Sequence, residues 1–460
     1  MSWHQDVQVR CSPEIEMTQK KRPNIVFIVA DDLGFADLGC YGGRDARFGR
    51  VSPVLDGLAE QGVKFTQGYS NSPVCSPTRF GLMTARWQYR LRGAAEEPIN
   101  SKSRGSTTLG LPPEHPTLPS LLKDAGYRTA LMGKWHLGYP PAFGPLKSGY
   151  EEFFGPMSGG VDYFTHCSSN GSHDLYQGEA EQAQEGYLTD LISERSVDYV
   201  QRMAPGAREG SPFFLSVHYT APHWPWETRD DAALAQEVKS NLFHLHGGNI
   251  HTYHRMIHHM DEGIGRIVET LRHEGLLDDT LIVFTSDNGG ERFSDNWPLV
   301  GGKMDLTEGG IRVPWIAHWP AMIRPGGISE QLCMTMDWSA TMIDIGGATP
   351  HTNYPLDGVS LLSVLTDSQA KFQRPLYWRM NHRGQRASRE GDWKYLRVDG
   401  NDYLFNIRAD ERERANHADR EPERLAAMRA SWEAWASSMP AIPPDATVSL
   451  GYSVKDMPQR

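Results

Sequence analysis

The chain has 460 residues, 39% of them hydrophobic and 22% charged, the make-up of a soluble globular protein able to bury a sizeable core. Its net charge of −11 argues against a nucleic-acid partner, although local cations can still gather an anionic substrate. No apolar run approaches the length of a membrane span, and the length favours one large α/β unit with an appendage.

Residues 1–22 are polar and charged and lack the apolar core of a signal peptide, so they are expected to form an N-terminal extension of a cytoplasmic protein. "NIVFIVADD" predicts a strand from Ile25 to Ala30 that ends in Asp31 and Asp32. In "NSPVCSPTR" Cys75 sits in a polar stretch just ahead of an apolar run, at a loop-to-helix junction where backbone N–H groups favour an anion. Three readings are open there: a nucleophile, half of a disulfide, or a residue modified after synthesis. The five cysteines are scattered without metal-like spacing, so neither a disulfide framework nor a zinc–cysteine site is supported. Leu118, Leu121 and Leu122 mark a short helix ending at Ala125-Gly126, and a strand over Thr129–Met132 leads to Lys134 and His136. The single sequon at Asn170 carries almost no weight without a signal peptide. A strand over Phe213–Tyr219 leads to His223, and apolar residues from Tyr253 to Leu271 recur at the steps of an amphipathic helix. Leu281 to Thr285 leads to Asp287 and Asn288, and "VPWIAHWP" predicts a fifth strand. This alternation predicts a large, mostly parallel sheet sandwiched by helices over residues 23–372. Residues 373–460 read as a smaller antiparallel sheet with a terminal helix, carrying Leu425, Met428, Trp432 and Trp435 on one face, and an irregular Pro-rich tail from Met439.

In open parallel sheets ligands bind beyond the carboxyl ends of the strands, where the unusual polar residues here collect. Asp31, Asp32, Asp287 and Asn288 bring oxygen donors from two strands, and three carboxylates so close repel unless a cation neutralises them. All-oxygen donors select a hard divalent ion, Ca²⁺ or Mg²⁺; the plain alternative is that Asp31 or Asp287 caps a helix. Arg79, Lys134, His136, His223 and Lys303 would ring that ion with donors and positive charge, an arrangement suited to sulfate or phosphate. His251, His254 and His258 have helical spacing but flank an apolar stripe, with no further donor to complete a zinc site. "LGCYGG" and "MSGG" lack the spacing of a nucleotide loop. Trp135, Trp224, Trp226 and Tyr163, near strand ends, could stack on an aryl ring or a sugar.

From about residue 23 the chain resembles the type I sulfatases of the alkaline-phosphatase superfamily. "CSPTR" followed by "GLMTAR" fits the C-x-P-x-R signature, "GKWHLG" fits the second signature, and "TAPH", "FTSDNGG" and "GGKMDLTEGGIRVP" follow in order. The resemblance implies that a formylglycine-generating maturation enzyme oxidises Cys75 to Cα-formylglycine (3-oxoalanine), recognising the polar, accessible loop through Pro77 and Arg79. It implies a sulfuric ester hydrolase acting on an aryl or carbohydrate sulfate. One hydroxyl of the hydrated aldehyde would attack sulfur, and the second, deprotonated, would expel sulfate. It further implies that Asp31, Asp32, Asp287, Asn288 and the modified Cys75 ligate Ca²⁺, with Mg²⁺ as the other candidate. Arg79 and Lys134 would orient the modified residue, Lys134 touching substrate as well. His136 would be the base, and His223 and Lys303 would hold sulfate oxygens and assist the leaving group. Ser52 and Val54 depart from the Thr and Asn common in relatives. Two rival activities remain, a phosphatase or phosphonate monoester hydrolase on the same fold, and a cysteine hydrolase pairing Cys75 with His136 or His223. A non-catalytic metal-binding protein would have no need of Cys75, His136 and Lys303 together.

Overall fold

The computed structural model describes residues 22–42, 49–239, 241–245 and 247–450. The expected N-terminal extension up to residue 21, and Cys11 with it, lies outside them. Among the described residues no helix is long and apolar enough to cross a membrane.

The apolar run Asn24–Ala30 forms the central strand of a ten-stranded sheet and is buried on both faces. From edge to edge the strands are Gly327–Ser329, Val63–Phe65, Trp315–His318, Thr280–Ser286, Asn24–Ala30, Phe213–His218, Arg128–Gly133, Glu152–Gly155, Tyr176–Gln177 and Ala180–Glu181. The five strands from Thr280–Ser286 to Glu152–Gly155 run parallel. Alternate residues of the central strand feed two cores. Val26, Ile28 and Ala30 face one core with the helices Leu188–Arg208 and Ile250–His273. Ile25, Phe27 and Val29 face the other, with the helices Cys75–Thr84, Leu118–Asp124 and Thr335–Ile345.

Local signals fix the helix starts. Thr117 and Ser120 form a reciprocal cap on the first turn of Leu118–Asp124. The Asn249 side chain accepts the N–H groups of His251 and Thr252 at 2.8 and 3.0 Å. The strand over Trp315–His318 was expected to join the parallel set, but it pairs antiparallel with Thr280–Ser286. Residues 287–314 return by a loop and the single helical turn Glu308–Ile311, without the long crossover a parallel neighbour requires.

The C-terminal part is a four-stranded antiparallel meander of Leu376–Arg379, Arg386–Glu390, Trp393–Val398 and Asn401–Asn406. The helix Pro422–Ser437 buries Met428 and Trp432, with Leu425 and Trp435 partly covered. Residues 440–450 form no helix or strand, and they return to the large sheet's side of the molecule, where Val448 bridges to Glu97.

Candidate active site

The ten residues singled out, seven of them just past strand ends, come together beyond the carboxyl edge of the central strands. Asp31 and Asp32 follow Asn24–Ala30, Asp287 and Asn288 follow Thr280–Ser286, Lys134 and His136 follow Arg128–Gly133, and His223 lies five residues beyond Phe213–His218. Cys75 is the first residue of its helix and is 1% exposed.

The expectation of a polar, accessible cysteine loop is overturned: every residue of Cys75–Thr84 is buried. The polar side chains are satisfied internally instead. Thr78 Oγ1 accepts from the Ser72 N–H at 2.9 Å, and Ser76 Oγ accepts from the Ile99 N–H at 2.9 Å. Burial pushes the Cys75 thiol up to about 12, with Lys134 and Lys303 pulling the other way. A thiol so buried stays protonated at neutral pH and is no activated nucleophile.

Each carboxylate has its own cation. Lys134 Nζ donates to Asp31 Oδ2 at 2.5 Å, Lys303 Nζ to Asp32 Oδ2 at 2.6 Å, and Arg79 Nε and a terminal nitrogen to Asp287 Oδ2 at 3.0 and 2.9 Å. Burial, then the neighbouring Asp287, pushes the Asp31 carboxyl well above the usual range. Burial is the largest influence on Lys303 and opposes its charge, but Asp32 together with Cys75, Glu291 and Asp31 raises the ammonium. The ligand atoms of Asp31, Asp32, Cys75 and His223 lie within 4.8 Å of one another. Asp31 Oδ1 and Asn288 Oδ1 are buried and accept no hydrogen bond from any described residue, while Asn288 Nδ2 donates to Asp32 Oδ1 at 2.7 Å and turns the amide oxygen away from that bond. Hard oxygen atoms with unspent lone pairs in a buried acidic cluster fit a divalent cation of the Ca²⁺ or Mg²⁺ type.

The two histidines have defined tautomers. His136 Nε2 lies 2.7 Å from the Ile99 carbonyl, which only accepts, so Nε2 carries the proton and the buried Nδ1 keeps its lone pair. Burial and Lys134 hold this ring neutral, far below the ordinary histidine range. His223 Nδ1 donates to the Trp224 carbonyl at 2.7 Å, leaving Nε2 3.5 Å from Asp32 Oδ2. Burial and Lys303 lower its pKa as well. Asp32 and His136 adopt φ of 62° and 60°, a left-handed backbone that Asp and His tolerate better than most side chains.

A cavity of about 230 Å³ opens beside Cys75, His136 and His223. Of the four aromatics expected to stack on substrate, only Trp224 lines it. Trp135, Trp226 and Tyr163 are buried, and Tyr163 donates its hydroxyl to the Thr220 and His223 carbonyls. Phe243, stacked on Trp224 at 4.6 Å, joins the wall instead. Sequence reasoning missed His218, whose Nδ1 lies 3.3 Å from Arg79, and the Ile99 carbonyl that sets His136. It also missed the purpose of "MSGG". A Cβ on Gly159 would sit 2.3 Å from the His136 ring, and one on Gly160 3.0 Å from Trp224 and 3.2 Å from His223, so the two glycines make room for these rings.

A parallel-centred sheet carrying a buried acidic cluster and a cationic ring at its carboxyl edge is the arrangement that the resemblance to the sulfatases of the alkaline-phosphatase superfamily implies. The sequence profile described as "Sulfatase" matches residues 23–348. The chain is 32% identical over 385 residues to the N-acetylgalactosamine-6-sulfatase of Homo sapiens, covering 77% of this chain and 68% of that protein. It is 31% identical over 398 residues to human arylsulfatase A, covering 81% and 74%. The crystal structure of Ps i-CgsB in complex with k-i-k-neocarrahexaose superposes with a TM-score of 0.80 at 30% identity, covering 95% of this chain and 96% of that one. The chain belongs to the sulfatase family, and it is a sulfuric ester hydrolase.

Proposed function

We propose that the enzyme hydrolyses a sulfate monoester on a saccharide, with Cys75 converted to Cα-formylglycine and one Ca²⁺ or Mg²⁺ held by Asp31, Asp32, Asp287, Asn288 and residue 75. The observation that carries this reading is the position of Cys75: buried at a helix start and within 4.8 Å of Asp31, Asp32 and His223. The saccharide follows from the relatives, one named for N-acetylgalactosamine and one solved with a carrahexaose. Because residue 75 and its flanking Ser76, Pro77 and Thr78 are buried, the maturation enzyme has to meet this segment before the chain folds.

When bound, the cation supplies Lewis-acid activation and the aldehyde hydrate supplies two hydroxyls, one to attack sulfur and one to release sulfate. The chain's own residues do the rest. Lys134 and Lys303 offer donors to the sulfate oxygens from the edge of the acidic cluster, and His223 joins them once its Nε2 takes up a proton. Arg79, forked onto Asp287 and donating to the Lys134 carbonyl at 3.2 Å, fixes both the ligand Asp287 and the strand end that carries Lys134. His136, neutral and with Nδ1 free, takes the proton of the second hydroxyl. His223 meets the leaving oxygen through Nε2.

Protein co-produced with a formylglycine-generating enzyme should contain a Cys75 peptide lighter than the thiol form and reactive toward hydrazides, and specific activity should rise with the modified fraction. Cys75→Ser should fold and not turn over. A fully thiol-bearing preparation as fast as the aldehyde form would overturn the proposal, and faster hydrolysis of aryl phosphate than of aryl sulfate would reassign the substrate.

A further inference from the structure

The cavity beside Cys75 has one wall that comes from the far end of the chain. Ser449 and Leu450 line it together with Cys75, His136 and His223, and Leu450 is 7% exposed although it lies beyond the last helix. A strap of specific contacts puts it there. The Arg379 guanidinium donates to the Pro440 carbonyl at 2.5 Å, and Arg92 pairs with Asp445 at 3.1 Å. The Thr447 N–H and hydroxyl both donate to Glu96. Glu97 then reads the strap like a neighbouring strand: its N–H donates to the Thr447 carbonyl at 2.9 Å, and its carbonyl accepts from Ser449 and Leu450 at 3.0 and 3.4 Å. The Ser449 hydroxyl donates to the Pro98 carbonyl at 2.8 Å. So many directed bonds over four residues fix the positions of two side chains.

Trp224, the Phe243 ring stacked on it, and Asn100 to Lys102 line the same cavity. The half-open space, about 230 Å³, lies below the roughly 300–1,000 Å³ of sites that hold drug-sized ligands and has room for about one sugar ring.

We propose that Ser449 and Leu450 are specificity-determining residues that wall the alcohol side of the pocket and restrict the enzyme to sulfate on a terminal sugar. This rests on the sulfatase reading above. A sugar inside an oligosaccharide would need room for the chain on both sides of the ring, and Ser449 and Leu450 narrow the side they line. Leu450 offers an apolar face to the ring, and Ser449 one hydroxyl whose proton is already committed to Pro98, leaving its lone pairs for a sugar hydroxyl.

The test uses the full-length, matured enzyme with three probes: 4-nitrophenyl sulfate, a 6-sulfated hexosamine monosaccharide, and a sulfated galactan hexasaccharide. The wild type should release sulfate from the hexasaccharide only at its terminal unit, read by mass spectrometry of the product. Leu450→Gly should release internal sulfate at least tenfold faster than the wild type. Ser449→Trp, placed on an exposed residue that leaves the core intact, should raise KM for the monosaccharide about tenfold with kcat altered less than twofold. The selectivity for monosaccharide over aryl sulfate should fall in step. Internal desulfation by the wild type, or variants with unchanged selectivity, would overturn the proposal while the sulfatase reading stands. A matured wild type inactive on all three sulfates would overturn both.

Discussion

Arg79 shows how much one side chain does at this centre. Its fork grips Asp287, its remaining nitrogen holds the Lys134 carbonyl and meets His218, and none of it is exposed beyond 1%. Lysine carries the same charge but no fork. Arg79→Lys should therefore lose at least one charge-assisted bond worth about 1.5–3 kcal/mol, and kcat/KM should fall by roughly 10- to 100-fold. Unchanged kinetics would refute its role in setting Asp287. The same pair governs how the metal site should be probed. Asp287→Ala would strand the buried guanidinium and destabilise the fold by about 3–5 kcal/mol, whereas Asp287→Asn keeps an oxygen for it. Asp287→Asn should thus remain folded, lose turnover, and bind Ca²⁺ at least tenfold more weakly by calorimetry. Chelation should likewise silence the wild type. Gly159 tests His136 without touching it. A Cβ there collides with the imidazole at 2.3 Å, and since misplacing a catalytic group by about 1 Å costs on the order of 100-fold, Gly159→Ala should lower kcat by that order with KM little changed. An unaltered kcat would remove His136 from the base role.

At the scale of elements, the loop from Glu96 to Lys102 is the joint of the site. Ile99 sends its N–H to Ser76, next to the reactive residue, and its carbonyl receives His136, while the Glu97 carboxylate accepts the N–H groups of Asn381 and His382 at 2.7 and 2.8 Å. Burial pushes this carboxyl up to about 7; those N–H groups and Arg379 oppose the rise and Glu96 adds to it. A carboxyl that binds its proton more tightly in the folded state than at the unfolded 4.5 makes stability fall as pH rises from about 4.5 to 7. Glu97→Gln, which cannot titrate, should be less stable at acid pH through one lost acceptor and should flatten the dependence of Tm on pH across that window. An unchanged slope would show that another group carries it. None of this loop was legible in the sequence. Glu96 and Thr447 are 351 residues apart, and neither lies in a periodic pattern that would announce a partner. The strand ends were legible for the opposite reason: apolar runs such as Ile25–Ala30 stop abruptly at Asp31 and Asp32, and a parallel sheet turns such stops into one edge. Strand direction was not, because the run Trp315–His318 reads the same in either orientation.

Across the whole molecule, the change of texture after residue 372 correctly announced a second sheet beginning at Leu376, but it gave no sign of how the two sheets are fastened. The fastening is a buried charge cluster. Lys394, on the strand Trp393–Val398, donates to Glu308 Oε1 at 2.9 Å and lies 2.9 Å from Glu413 Oε1, with all three side chains at most 2% exposed. Glu308 opens the helical turn that follows Lys303 and also accepts the Tyr69 hydroxyl at 2.6 Å. The cluster therefore ties the small sheet to the segment that brings a cation to the active site. Burial opposes ionisation of Glu308, but Lys394 with Arg389 and Arg312 keeps it below the usual range, whereas burial pushes the Glu413 carboxyl up to about 7 against the pull of Lys394. Removing the lysine leaves two acids facing each other without their shared cation. Lys394→Met should cost about 3–5 kcal/mol, because a buried pair broken on one side leaves uncompensated charge. The triple change Lys394→Met, Glu308→Gln, Glu413→Gln should recover most of that loss, since neutral groups of similar size carry no such penalty. Denaturant midpoints read by Trp fluorescence and by residual sulfatase activity separate two outcomes. If the cluster fastens the sheets, Lys394→Met shifts both midpoints together and lowers kcat through the Lys303 segment, and the triple variant restores both. A variant in which fluorescence shifts while activity keeps the wild-type midpoint would mean that the small sheet unfolds alone, and that the active site does not depend on it.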